Sequence, residues 1–144
     1  ADVGSGTGFF TDEIAPFVEK DYAIDVQPEM HDHYQEKGAP DNVEFVTAEA
    51  SSIPLDDDEL DAAFSTMTFH EFASDEALEE LARVIRPGGR VITLDWSKTG
   101  AGEDGPPVSE RFGLADAVEY FESSGFRTVD ATSRIETFLH SAKK

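Results

Sequence analysis

Cysteine does not occur among the 144 residues. A disulfide framework, a thiolate metal site and a thiol nucleophile are therefore all unavailable. Cations are scarce: 11 Lys and Arg, five of them Lys, stand against 31 Asp and Glu, a formal charge of −20. Such a field repels phosphate, which makes nucleic acid and anionic membrane poor partners. No run approaches the roughly 20 apolar residues needed to span a bilayer, and no signal-like start is visible, so a soluble, cytoplasmic protein is expected. Repeats, linkers and low-complexity tracts are also missing. One domain over residues 1–144 with one core fits this length.

The acids that are present spread through segments that keep their apolar periodicity, which a disordered acidic tail would lose. Phe10, Ile14, Phe17 and Val18 space as a helix within Phe9 to Glu19, shortened or bent by Pro16. Tyr22 to Val26 reads as a strand and Pro28 starts a helix through Lys37. Asn42 to Thr47 and Leu60 to Thr66 are strands, separated by a turn-rich, acidic stretch. Ser74 caps a helix carrying Ala77, Leu78, Leu81, Ala82 and Ile85, closed by Pro87-Gly88-Gly89, before a strand from Arg90 to Trp96. A Gly/Pro-rich loop from Ser97 to Pro107 precedes a helix over Leu114 to Phe121, and the runs Phe126 to Thr132 and Ile135 to Ser141 form a terminal hairpin. Alternating strands and helices imply a mostly parallel, doubly wound α/β sheet with antiparallel pairing at the end. Ala1 already lies in strand-like sequence, so the N-terminal part of the fold is expected to precede it.

In such a sheet a ligand lies beyond the carboxyl ends of the strands, beside the first of them. The opening ADVGSGTGFF sits there. A dinucleotide site requires G-x-G-x-x-G, but Phe9 occupies the third glycine's place and the glycine falls at Gly8 instead. Without a ligand, the same glycines make only a tight strand-to-helix turn. Asp25, 17 residues after Gly8, closes the second strand where a carboxylate can accept both hydroxyls of a ribose, or can cap a helix.

The G-x-G-x-G spacing behind Asp2 resembles the first motif of class I S-adenosylmethionine-dependent methyltransferases. AIDVQPEM looks like the second motif, with Gln27 where Ser is usual; FVTAEASSIPLDDDELDAAFS, FSTMTFHEF and LARVIRPGGRVITLDW match later segments in order. Together they resemble the type 11, ubiquinone/menaquinone-biosynthesis-like branch across residues 1 to 96. The resemblance implies a Rossmann-like seven-stranded sheet and S-adenosyl-L-methionine as cofactor. It implies Asp2, Gly4, Ser5, Gly6 and Gly8 at the methionine end, Asp25 and Val26 at ribose and adenine face, Glu49 and Ala50 at adenine, and Thr66 as backbone wall behind the sulfonium. A small molecule is the expected methyl acceptor, whether at carbon, oxygen or nitrogen. The family's substrate pocket is usually completed by N-terminal helices and an insertion after the fifth strand, here short between Ser97 and Glu110. A catalytically silent cofactor-binding or regulatory domain would share every motif; an NAD-type oxidoreductase would need the missing glycine.

A sulfonium methyl is already activated, so the protein need mainly position a nucleophile and exclude water. His70 follows the fourth strand on the substrate side and is the candidate base, or else a loop histidine satisfied by backbone. Ser74 occupies the second histidine's place of H-E-x-x-H, which excludes a zincin site, and no other metal site is expected. His31 and His33 do not share a helix face and are expected to be solvated. Asp95 and Trp96 end the fifth strand and either line substrate or are buried.

The acidic composition matches halophilic proteins, in which salt screens self-repulsion in the compact state. The melting temperature is expected to rise between low and molar salt, measured by circular dichroism; a melting temperature that stays flat or falls contradicts this.

Overall fold

The structure is a computed structural model that describes residues 1–144. Strand β1 (Asp2–Val3) leads through the glycines into a one-turn helix α1 (Thr11–Ile14) and a 3-10 turn (Ala15–Phe17). β2 (Asp21–Asp25), α2 (Pro28–Lys37), β3 (Val43–Thr47) and β4 (Leu60–Thr66) follow. Then come α3 (Phe69–Phe72), α4 (Asp75–Val84), β5 (Ile85–Trp96), α5 (Leu114–Ser123), β6 (Arg127–Ser133) and β7 (Thr137–Lys143). The seven strands form one sheet in the order β3-β2-β1-β4-β5-β7-β6. β1 to β5 pair in parallel, and β7 inserts antiparallel between β5 and β6. The chain winds outward from β1 to β3, then crosses back to β4, so the switch point lies between β1 and β4. No helix is long and apolar enough to cross a membrane.

Local sequence accounts for most of these elements. Ser74 Oγ accepts from Ala77 N at 3.2 Å, and α4 buries Ala77, Leu78, Leu81 and Val84 on one stripe. Asp116 Oδ2 accepts from Gly113 N at 2.7 Å and starts α5. Phe69 of α3 is fully buried and meets Phe72, Phe112, Tyr120, Phe121 and Phe138, joining α3 and α5 to the sheet through aromatic packing.

Three expectations are corrected. After the glycines the chain makes only the single turn of α1 and a 3-10 turn containing Pro16, and Phe10, Ile14, Phe17 and Val18 are exposed while Thr11 and Ala15 are buried. Proline removes an amide donor and stops the helix before its apolar stripe can dock. β5 begins at Ile85: Leu60 pairs with Ile85 and Ala62 with Arg90, so Pro87-Gly88-Gly89 bulges within the strand instead of preceding it. His31 is buried on the face of α2 that also carries Tyr34, with Nδ1 3.2 Å from Thr47 Oγ1 and its ring against Phe45, and this burial pushes its pKa down. His33 is exposed beside Glu36, as expected.

The glycine loop is built by contacts to its own protein as well as by backbone freedom. Gly8 has φ +79°, and a Cβ there would lie 2.0 Å from the ring of Tyr34. That ring is fully buried and its hydroxyl donates to Asp12 at 2.6 Å, so it has no room to yield. Gly6 has φ +52° and a Cβ there would meet nothing. Beneath the loop, Asp2 is buried and its Oδ2 accepts from Thr11 Oγ1 at 2.7 Å. Burial pushes the Asp2 carboxyl up to about 7; the Thr11 hydrogen bond opposes the rise and nearby Asp21 adds to it.

Two stability tests follow from this loop. Gly8→Ala is expected to cost about 2–5 kcal/mol from overpacking plus left-handed strain, and Gly6→Ala only about 1–2 kcal/mol from strain, read by urea unfolding. Equal losses would contradict the Tyr34 contact. For Asp2, the folded state retains a proton that the unfolded chain releases near its ordinary value of 3.8. The stability it contributes is thus complete below that value and is lost as pH rises through about 7. Asp2→Asn should therefore gain melting temperature relative to the parent progressively as pH is raised across this window. A difference independent of pH would contradict the buried carboxyl.

Candidate functional site

A cavity of about 450 Å³ opens at the carboxyl ends of β1 and β2, a volume suited to one small ligand. Four stretches make its wall: Val3 and Gly4; Ile24 to Gln27; Ala48 to Ser51; and Thr68 with Glu71 to Ser74. Parallel register brings the second and third together. Asp25 pairs with Thr47, and Ala48 N donates to Asp25 O at 3.1 Å, so Asp25 at the end of β2 and Glu49 just past the end of β3 come to the same edge of the sheet. The Asp25 side chain fixes two of the turns around the site: Oδ2 accepts from Gly6 N at 2.8 Å and Oδ1 from Gln27 N at 2.9 Å. The carboxylate thereby ties the glycine loop to the β2–α2 turn and still has lone pairs for a ligand. Gly4 N and Ser5 N both donate to Ile24 O, at 2.8 and 2.9 Å, and draw the loop onto β2.

Asp25, Glu49 and Glu71 give the wall three carboxylates, and no Lys, Arg or His joins them. Acceptors on two strand ends, apolar Val26 and Ala50 beside them, and no cation suit a ligand rich in donors and uncharged or positive. They do not suit a pyrophosphate. A second cavity, of about 760 Å³, lies between α4 and α5 among mostly charged and polar side chains, including Lys98, Arg111 and Asp116. It is larger, but none of the motif residues reaches it.

Of the residues singled out from sequence, Gly4, Asp25, Val26, Glu49 and Ala50 share the first cavity. Asp2, Ser5, Gly6, Gly8, Thr66 and His70 lie outside its wall. Asp2 is under the loop on Thr11, and Ser5 is buried with Oγ unpartnered. Thr66 gives way to Thr68, because Met67 takes a left-handed φ of 59° and turns the chain. Non-glycine residues held there carry strain of about 1–3 kcal/mol, usually where function requires it. Thr68 Oγ1 donates to Val3 O at 3.0 Å, closing the cavity floor across β1 and β4. Trp96 is covered by the following loop, with the Arg111 guanidinium 5.3 Å from its ring, and does not line the cavity.

Sequence reasoning gives no individual site role to Thr68 or to Glu71 to Ser74, although FSTMTFHEF, which holds Thr68, Glu71 and Phe72, matches a family segment and Ser74 reads as a helix cap. A further local signal is the aromatic pair Phe69 and Phe72 at helical spacing. His70 sits on that helix, α3, its ring bonded to Asp95 through Nδ1.

The model of the type 11 methyltransferase domain matches residues 1–93. An uncharacterised methyltransferase-like protein of Schizosaccharomyces pombe is 38% identical over 97 residues, 67% of this chain and 37% of its own length. The ubiquinone/menaquinone biosynthesis C-methyltransferase of Hahella chejuensis is 32% identical over 105 residues, 67% of this chain and 42% of that protein. The chain thus spans well under half the length of these curated relatives. Among solved structures, an S-adenosylmethionine-dependent methyltransferase from Aquifex aeolicus superimposes with a TM-score of 0.89 at 34% identity, covering 99% of this chain and 79% of that one. The Rossmann-like fold and the resemblance drawn from the glycine spacing are borne out, against the dinucleotide alternative. With its family model matched from the glycine loop to β5, this chain belongs to the type 11 methyltransferase-domain family.

Proposed function

We propose that the chain binds S-adenosylmethionine in the cavity at the ends of β1 and β2 and directs its methyl to a small-molecule acceptor. The observation that carries this reading is the convergence of Asp25 and Glu49 on one cavity that contains no cation. Asp25 would accept from the ribose hydroxyls, Glu49 from the adenine amino group, and Val26 and Ala50 would cover the adenine faces. Gly4, Gly6 and Gly8 would shape the loop over the methionine end, with Asp2 and Ser5 acting from beneath and Thr66 supporting the turn behind the sulfonium. The acidic wall also suits the positive charges of that end. When bound, S-adenosylmethionine supplies a methyl already activated by its sulfonium. The protein's part is to hold the ligand, exclude water and receive a proton, for which His70 is the candidate. The −20 charge and the small cavity favour a small acceptor over nucleic acid.

Calorimetric titration with S-adenosylhomocysteine tests the reading before any acceptor is known. One-to-one binding is expected, with none for NADH. Asp25→Ala should weaken it by about 1.5–3 kcal/mol, the contribution of hydrogen bonds to a charged acceptor. Unaltered affinity in this variant, with its fold retained, would remove Asp25 from the ligand site.

A further inference from the structure

Asp95 and His70 form a buried pair that no ligand-holding role above employs. The Asp95 side chain is 1% exposed at the end of β5. Two backbone amides already donate to it: His70 N to Oδ2 at 2.6 Å and Trp96 N to Oδ1 at 2.7 Å. His70 Nδ1 lies 3.0 Å from both oxygens. A carboxylate surrounded by donors accepts from each, so Nδ1 brings the proton and Nε2 is left with its lone pair. That nitrogen lies 3.9 Å from Oε1 of Glu71, a residue of the cavity wall. Removing a carboxylate from water is costly, and capping a one-turn helix does not require the ring contact as well.

We propose that Asp95 is a positioning residue, holding His70 in the Nδ1–H tautomer so that Nε2 takes the proton of a protic acceptor, a hydroxyl or an amine. The inference rests on the cofactor reading above. The acceptor's lone pair forms the new bond to carbon, the electron pair of the broken carbon–sulfur bond stays on sulfur, and the acceptor's proton passes to Nε2. The imidazolium so formed is compensated by Asp95 at Nδ1 and by Glu71 beside Nε2, and returns its proton to water.

Nitrogen NMR of ¹⁵N-histidine-labelled protein, above the histidine titration range, reads the tautomer directly, with His70→Asn identifying the signal. The expected result is a proton on Nδ1 and a bare Nε2 in the parent protein, with Asp95→Asn moving the proton towards Nε2. Diethyl pyrocarbonate should modify His70 at Nε2 in the parent and severalfold more slowly in Asp95→Asn, read by mass spectrometry. S-adenosylhomocysteine affinity of the folded variant should stay within a factor of about three. An Nε2–H tautomer in the parent, a His70 that never reacts, or loss of S-adenosylhomocysteine binding in folded Asp95→Asn overturns the proposal. If Asp95→Asn does not fold, the parent's tautomer and reactivity decide. A parent protein that keeps the Nδ1–H tautomer yet binds no S-adenosylhomocysteine would overturn the cofactor reading instead.

Discussion

The Asp25 carboxylate is the constraint on which the site depends. It accepts the Gly6 amide, 19 residues before it in the chain, from one side and the Gln27 amide from the other, and so joins the glycine loop to the β2–α2 turn. Other contacts help to fix the glycine loop, among them Gly4 and Ser5 on Ile24 O, Lys37 on Thr7 O and Gly8 against Tyr34, but none of them ties it to the β2–α2 turn through a group that also faces the cavity. A hydrogen-bonded carboxylate at this point does two things at once: it orders the backbone that must approach a ligand, and it keeps acceptor capacity facing the cavity.

The charge of the site agrees with the charge of the molecule. A chain with 31 acids and 11 Lys and Arg has few cations to spend on phosphate, and the cavity wall uses none. Carboxylates serve as acceptors for neutral hydroxyl and amino groups, and their summed field favours a sulfonium and an ammonium over an anion. The same field works against the compact state. Asp2, enclosed under the loop, shows how the fold tolerates it locally, by shifting the carboxyl towards its neutral form.

Much of this arrangement was legible in the residues. Glycine spacing separated this loop from a dinucleotide turn, Ser74 marked the start of α4, and the strand-helix alternation gave the parallel sheet because each signal is local in the chain. Asp25 and Glu49 were readable as a pair because one closes a strand and the other follows the next strand, and adjacent parallel strands bring such ends together. What escaped depended on partners distant in sequence. The phenylalanines after the loop keep helical spacing, yet Pro16 stops the helix before they dock. His31 is drawn inward by Phe45 and Thr47, and Asp95 finds His70 across 25 residues. The turn at Met67, which selects Thr68 over Thr66 for the cavity, rests on a left-handed backbone that no composition rule assigns to methionine.

The central claim is that one adenosyl ligand lies between the ends of β2 and β3 against the glycine loop. A crystal structure with S-adenosylhomocysteine tests it most directly. The account requires the ribose hydroxyls within hydrogen-bond distance of Asp25, the amino group of adenine at Glu49, and the ring between Val26 and Ala50. Density for the ligand in the α4–α5 cavity, or in the first cavity with the ribose turned away from Asp25, would contradict it.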